Sequence, residues 1–331
     1  MSASTETLTE TLGVQGRVPD FFIVGQPKSG TTALYRMLGS HPQIYVSDMK
    51  EPLFFARDLR PDLHTSEGDP DKRPLFPATF AEYLSLFTAA RAEQRVGEAS
   101  SSYLRSSVAA GAIAEAQPAA RIIAIIREPA SLLRSLHLQR LQEHIETEPD
   151  LARALALEDK RRQGRGLPAR LEQPQMLLYS EFVRTVEQLR RYHAVFAAEQ
   201  IKVLIYDDFR NDNRQAVRDV LRFLEVDDAF PVTALEANPT VTVRSRRVER
   251  VVRRMHARRG AMWTPVNAVV KTVTSRPLRK KIRDRLIYRE ARPPDERLMM
   301  ELRRRFAPEV VALSEYLGRD LSALWGYDRL G

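Results

Sequence analysis

Short apolar runs alternate with helical patterns through the first two thirds of the chain. Four runs have the make-up of β-strands: Phe21–Gly25, Arg95–Glu98, Arg121–Ile126 and Ile201–Tyr206. Two are nearly continuous in Ile, Leu and Val, as strands covered on both faces of a parallel sheet are. Between and after them, periodicity predicts helices over about 29–39, 107–116, 130–145, 181–197 and 213–224. This alternation predicts a doubly wound, mostly parallel α/β fold. In such sheets ligands collect beyond the carboxyl ends of the strands, where residues 25–28, Arg127 and Tyr206-Asp207 fall.

Two stretches break the rhythm. Residues 56–80 carry Pro61, Pro70, Pro74 and Pro77 among many charges, and residues 146–175 are polar around Gly164 and Gly166. Both read as surface insertions. No repeat or linker divides the chain. The expected organisation is a disordered tail over 1–17 and one domain over 18–331, an α/β core to 240 followed by a basic helical C-terminal extension from 241. Phe54 and Phe55 are expected in the core.

Composition narrows the class. With 331 residues, 43% hydrophobic and 29% charged, the chain can bury a sizeable core. It contains no cysteine, which excludes disulfides and thiolate metal sites. Residues 1–17 lack the apolar stretch of a signal peptide, and no run is long enough to cross a bilayer. A soluble cytoplasmic protein is expected.

The net charge of +9 is localised. Residues 241–292 hold 17 Arg and Lys against Glu249, Asp284 and Glu290, which leaves the rest of the chain net negative. Within them Val248, Val251, Val252 and Met255 form the apolar stripe of a basic amphipathic helix over 244–259. Three readings compete: a docked helix with a solvated basic face, peripheral attraction to an anionic membrane, and an electrostatic funnel for an anionic ligand. No nucleic-acid recognition motif accompanies the charge, so no nucleic-acid partner is expected.

The candidate chemistry begins where the first strand ends. Gly25-Gln26-Pro27-Lys28-Ser29-Gly30-Thr31-Thr32 carries the chain from an apolar run through a tight loop into a helix, a P-loop-like setting that aims backbone N–H groups and the helix dipole at an anion. In a Walker A loop the lysine follows the last glycine; here Thr31 does, and Lys28 stands two places before Gly30. A second candidate follows the third run: Arg127 at the strand end, Pro129 suited to a first helical turn, and Ser135 two turns on.

The order Pro27-Lys28-Ser29-Gly30-Thr31-Thr32, together with Arg127 and Ser135, resembles the phosphate-binding elements of sulfotransferases that use 3′-phosphoadenosine 5′-phosphosulfate (PAPS). The chain is similar to bacterial members related to the heparan sulfate sulfotransferase branch. It shares their Lys-Glu before a Phe-Phe pair (Lys50-Glu51-Pro52-Leu53-Phe54-Phe55) and a Gly97-Glu98-Ala99-Ser100-Ser101-Ser102-Tyr103 segment. The resemblance spans roughly residues 19–245.

That resemblance implies PAPS as co-substrate without a metal, and a small metabolite, glycan or lipid as acceptor, through a hydroxyl in preference to an amine. It implies that Lys28 meets the leaving oxygen, while Ser29, Gly30, Thr31 and Thr32 hold the 5′-phosphate. Arg127 and Ser135 would hold the 3′-phosphate, Tyr179 would stack on adenine, and Arg244 and Ser245 would add contacts. Glu51 matches the glutamate base of that branch. For Glu98 three roles stay open: binding the acceptor, orienting Lys28 or sharing the base role. His41, beside Pro42, is expected to pack or cap. Two other functions remain in view: an ATP-dependent kinase of related architecture, and a non-catalytic module that binds anionic membranes or polymers through 241–292.

Overall fold

The computed structural model describes residues 16–60, 76–168, 171, 173–233, 241–243, 288–290 and 295–330. In chain order it contains β1 (Phe21–Gly25), α1 (Thr31–Leu38), β2 (Ile44–Val46), α2 (Phe80–Ser85), β3 (Arg95–Ala99), α3 (Ala109–Ala116), β4 (Arg121–Ile126) and α4 (Pro129–Gln142). There follow α5 (Leu151–Ala156), α6 (Glu158–Arg162), α7 (Thr185–His193), β5 (Ile201–Ile205), α8 (Tyr206–Asn211) and α9 (Asn213–Phe223). The chain closes with β6 (Val241–Val243), β7 (Tyr288–Glu290), α10 (Glu296–Leu317) and α11 (Leu321–Trp325).

The main sheet has the order β2-β3-β1-β4-β5, and every pairing in it is parallel. β1 is central, with all five residues buried. Its side chains alternate between faces, as a strand requires. Phe22 and Val24 join one core with Val96, Ile122 and Ile126, and Phe21 and Ile23 join a second with Ile123 and Ile125. Helices α3, α7 and α10 cover the first face; α1 and α9 cover the second. Each such Ile, Leu or Val contributes about 1.5–3 kcal/mol when fully buried. Gly97 lies opposite Phe21, where a Cβ would sit 2.1 Å from the ring, so this position needs glycine.

A third core anchors α4. Leu132, Leu133 and Leu136 pack with Leu151, Leu155, Tyr179 and Phe182, and with Met299, Leu302 and Phe306 of α10. Two expectations change here. The stretch 146–175 contains α5 and α6, pinned by a wholly buried Arg161–Glu146 ion pair at 2.8 Å, so it is not merely a surface insertion. The C-terminal helices are integral to the core, because Val310 and Leu313 pack under the sheet. Arg17, assigned to the tail, pairs with Asp20 at 3.0 Å and donates to the Ala92 carbonyl at 2.9 Å. β6 and β7 pair antiparallel, and the basic helix expected over 244–259 lies outside the described residues.

Candidate functional site at the carboxyl edge of the sheet

The loop after β1 is shaped by two left-handed residues, Lys28 (φ 63°) and Gly30 (φ 86°). A Cβ on Gly30 would also come within 2.9 Å of the Phe209 ring, so both backbone and packing call for glycine. Gly30 is the N-cap of α1 and no side chain caps that helix, which leaves its first turn to an anion. α4 is different: Glu128 accepts from Ala130 N and Ser131 N at 3.2 and 2.6 Å, and also accepts the Tyr327 hydroxyl at 2.6 Å. Two strand-to-helix junctions thus stand side by side, one closed by its own carboxylate and one open.

Gln26, which sequence reasoning passed over, ties the loop down. Its Oε1 accepts from Arg127 N at 3.1 Å and its Nε2 donates to Thr185 Oγ1 at 3.0 Å. It is 2% exposed, next to a loop whose Lys28 side chain is exposed. Arg127 Nη1 donates to the Lys28 carbonyl at 2.7 Å, and its guanidinium lies 4.6 Å from the Tyr206 ring centroid. The ends of β1, β4 and β5 therefore converge. Ser135, on α4, is 3% exposed.

Electrostatics set this flank apart. Crowding by protein lowers the Lys28 pKa through desolvation first; Glu143 opposes this, and Arg127 and Arg140 add like charge. Burial likewise lowers Arg127 from its ordinary value, with Tyr206 and Glu128 acting against it. Cations held at this cost suit an incoming polyanion.

The carboxylates occupy the opposite flank, at the end of β3. Glu51 takes positive φ (63°), and its N–H donates to the Ala99 carbonyl at 2.9 Å. Its side chain accepts from Ser101 N at 2.7 Å and Ser101 Oγ at 2.8 Å, and pairs with the Lys50 ammonium. It stays about a third exposed (34%), able to meet a substrate. Glu98 differs: it is 1% exposed and accepts from Tyr83, Tyr103 and Ser100 hydroxyls at 2.9, 2.9 and 2.6 Å. Burial pushes its pKa up to about 7 against those three donors, with the Glu51 charge adding to the rise.

Other expected residues lie elsewhere. Tyr179 is fully buried, its hydroxyl on Glu146 at 3.0 Å and its ring edge-on to His137, so it packs the third core and presents no face to a base. His41 precedes β2, at the opposite end of the sheet from the loop. Its Nδ1 accepts from Gln43 N at 3.1 Å and its Nε2 donates to the Asp227 carbonyl at 2.8 Å, a packing role as expected. Phe54 and Phe55 are core residues. Arg244 and Ser245 lie outside the described residues. Among the described residues, no group of three or more His, Asp or Glu is arranged to hold a metal, and no helix is long and apolar enough to cross a membrane.

Fold and site together define an α/β protein with an open helix N-terminus, converging cations and the accessible Glu51 carboxylate at the carboxyl edge of its sheet. Residues 19–230 match the sulfotransferase family, and the chain belongs to that family. The crystal structure of a sulfotransferase from Alicyclobacillus acidocaldarius aligns with a TM-score of 0.64 at 28% identity, over 92% of this chain and 98% of that one. Carbohydrate sulfotransferase 15 of Mus musculus is 31% identical over 156 residues, 37% of this chain and 27% of the mouse protein. The Homo sapiens counterpart is 39% identical over 70 residues, 12% of its length, so the chain spans only a minor part of these curated relatives.

Proposed function

We propose that this protein transfers a sulfuryl group from PAPS to a hydroxyl of a carbohydrate. The observation that carries the reading is the convergence of Lys28, Arg127 and the Ser101-held Glu51 on the ends of three adjacent strands. The residues fit the donor: the uncapped N-terminus of α1 with Thr31 and Thr32 suits its 5′-phosphate, and Arg127 with Ser135 its 3′-phosphate. The carbohydrate class is supported by the name of the mouse and human relatives.

In the proposed reaction Glu51 removes the proton of the acceptor hydroxyl as that oxygen bonds to sulfur. The bond from sulfur to the phosphate oxygen breaks, and Lys28 stabilises the charge that develops on that oxygen. Gln26 and the Gly30 turn hold Lys28 and Arg127 in register, so alignment is built in before the substrates arrive. Thermal stabilisation of the protein by adenosine 3′,5′-bisphosphate (PAP), and none by ATP with Mg²⁺, is the expected result. A preference for ATP with Mg²⁺ would overturn the reading in favour of a kinase.

A further inference from the structure

Glu98 is 1% exposed, yet three hydroxyls donate to it. Two of them do something else as well. Ser100 Oγ accepts from Leu53 N at 3.1 Å, and the Tyr103 hydroxyl accepts from Phe55 N at 3.2 Å. A hydroxyl has one proton to give. When it gives that proton inward to a carboxylate, its oxygen is left facing outward as an acceptor. Both N–H groups belong to the loop that presents Glu51, and this loop carries positive φ at two non-glycine residues, Glu51 and Leu53 (φ 54°). Such a backbone persists only where its surroundings hold it.

We propose that Glu98 is a positioning residue: its ionised carboxylate orients the Ser100 and Tyr103 hydroxyls to grip Leu53 and Phe55, and so fixes Glu51 against Ser101. The inference rests on the proposed transfer reaction only for the role of Glu51 as base. Protonating Glu98 turns one of its oxygens into a donor. The hydroxyl facing it then accepts from that proton, so its own proton is no longer fixed on the carboxylate and its acceptor lone pair is no longer aimed at the backbone N–H. The grip loosens as pH falls through about 7, where burial places this carboxyl.

The groups facing Glu98 leave it as the one that titrates there. Tyr83 on α2, Tyr103 after β3, Tyr35 on α1 and Tyr192 on α7 all have pKa values raised by burial and stay neutral. Glu51 brings a like charge and is itself paired with Lys50.

Residue-resolved amide hydrogen exchange on the full chain tests this. Protection of Leu53 and Phe55, corrected for intrinsic rates, should fall about tenfold between pH 8 and pH 5.5 while β1 stays protected. Glu98→Gln should show the low protection at both pH values, with PAP affinity unchanged. Tyr103→Phe should expose Phe55 alone and leave the pH response of Leu53. Flat wild-type protection, or a Glu98→Gln protein matching wild type at both pH values, overturns the proposal. Should Glu98→Gln not fold, the wild-type pH series and Tyr103→Phe still decide. Failure of the wild-type protein to bind PAP would count against the transferase reading alone, because the exchange pattern is read without ligand.

Discussion

The two flanks of β1 are built on different plans. Towards β4, the cationic flank comes from two segments: Lys28 to Thr32, which run through one loop into the first turn of α1, and Arg127 one residue past β4. Towards β3, the carboxylate flank is assembled from three separate segments, with Glu51 in a loop, Tyr83 on α2, and Glu98 to Tyr103 at the strand end. The difference follows from what each side must do. A phosphate is held by successive backbone N–H groups and a helix end, which a short contiguous stretch supplies. A base must be held at one orientation while staying charged beside a low-dielectric core, and that takes donors from several directions.

Removing the single most exposed member of each flank should separate their roles. Lys28→Ala should lower the transfer rate about 10²–10³-fold, the usual effect of losing one donor to developing negative charge. PAP binding, measured by calorimetry, should change far less. Glu51→Gln keeps an acceptor for Ser101 but no base, and should cost about 10²-fold in transfer with the melting temperature unchanged. Full activity of Glu51→Gln on a carbohydrate hydroxyl would remove the base from this flank. Arg127→Ala should act on affinity instead, weakening PAP about tenfold by loss of a charged hydrogen bond.

The cationic flank was also the more legible in sequence, for the same reason. The loop and Arg127 stand out by their place after β-type runs, and four of the five strands of the main sheet are read from short runs, two of them nearly continuous in Ile, Leu and Val. β2 escaped because three residues, Ile44–Val46, are too short to show a pattern. α5 and α6 escaped because a polar surface hides Leu151, Ala154 and Leu155, and because a buried Arg161–Glu146 pair looks like solvated charge in a sequence. On the carboxylate flank, Glu51 was found by resemblance. Its clamp by Ser101 was not, since 50 residues separate the two. Tyr179 is assigned to adenine by resemblance, and its burial against Glu146 and His137 leaves no trace in the sequence.

The smallest expected effect bears on where the cationic flank ends. Tyr206 was read as the end of a strand; in the structure it opens α8, and its ring lies against the Arg127 guanidinium. A cation–π contact of this kind is worth about 0.5–1 kcal/mol, more where it is desolvated. Tyr206→Leu should therefore weaken PAP binding about two- to fivefold, and Tyr206→Phe, which keeps the ring face, should leave it near wild type. Because Arg127 is already held by the Lys28 carbonyl, loss of the ring should loosen the guanidinium without removing it. A Tyr206→Leu effect as large as that of Arg127→Ala would mean that the tyrosine touches the nucleotide directly. The cationic flank would then extend across β4 to the edge strand β5, and the contrast with the carboxylate flank would lie in chemistry alone, since both would draw on several segments.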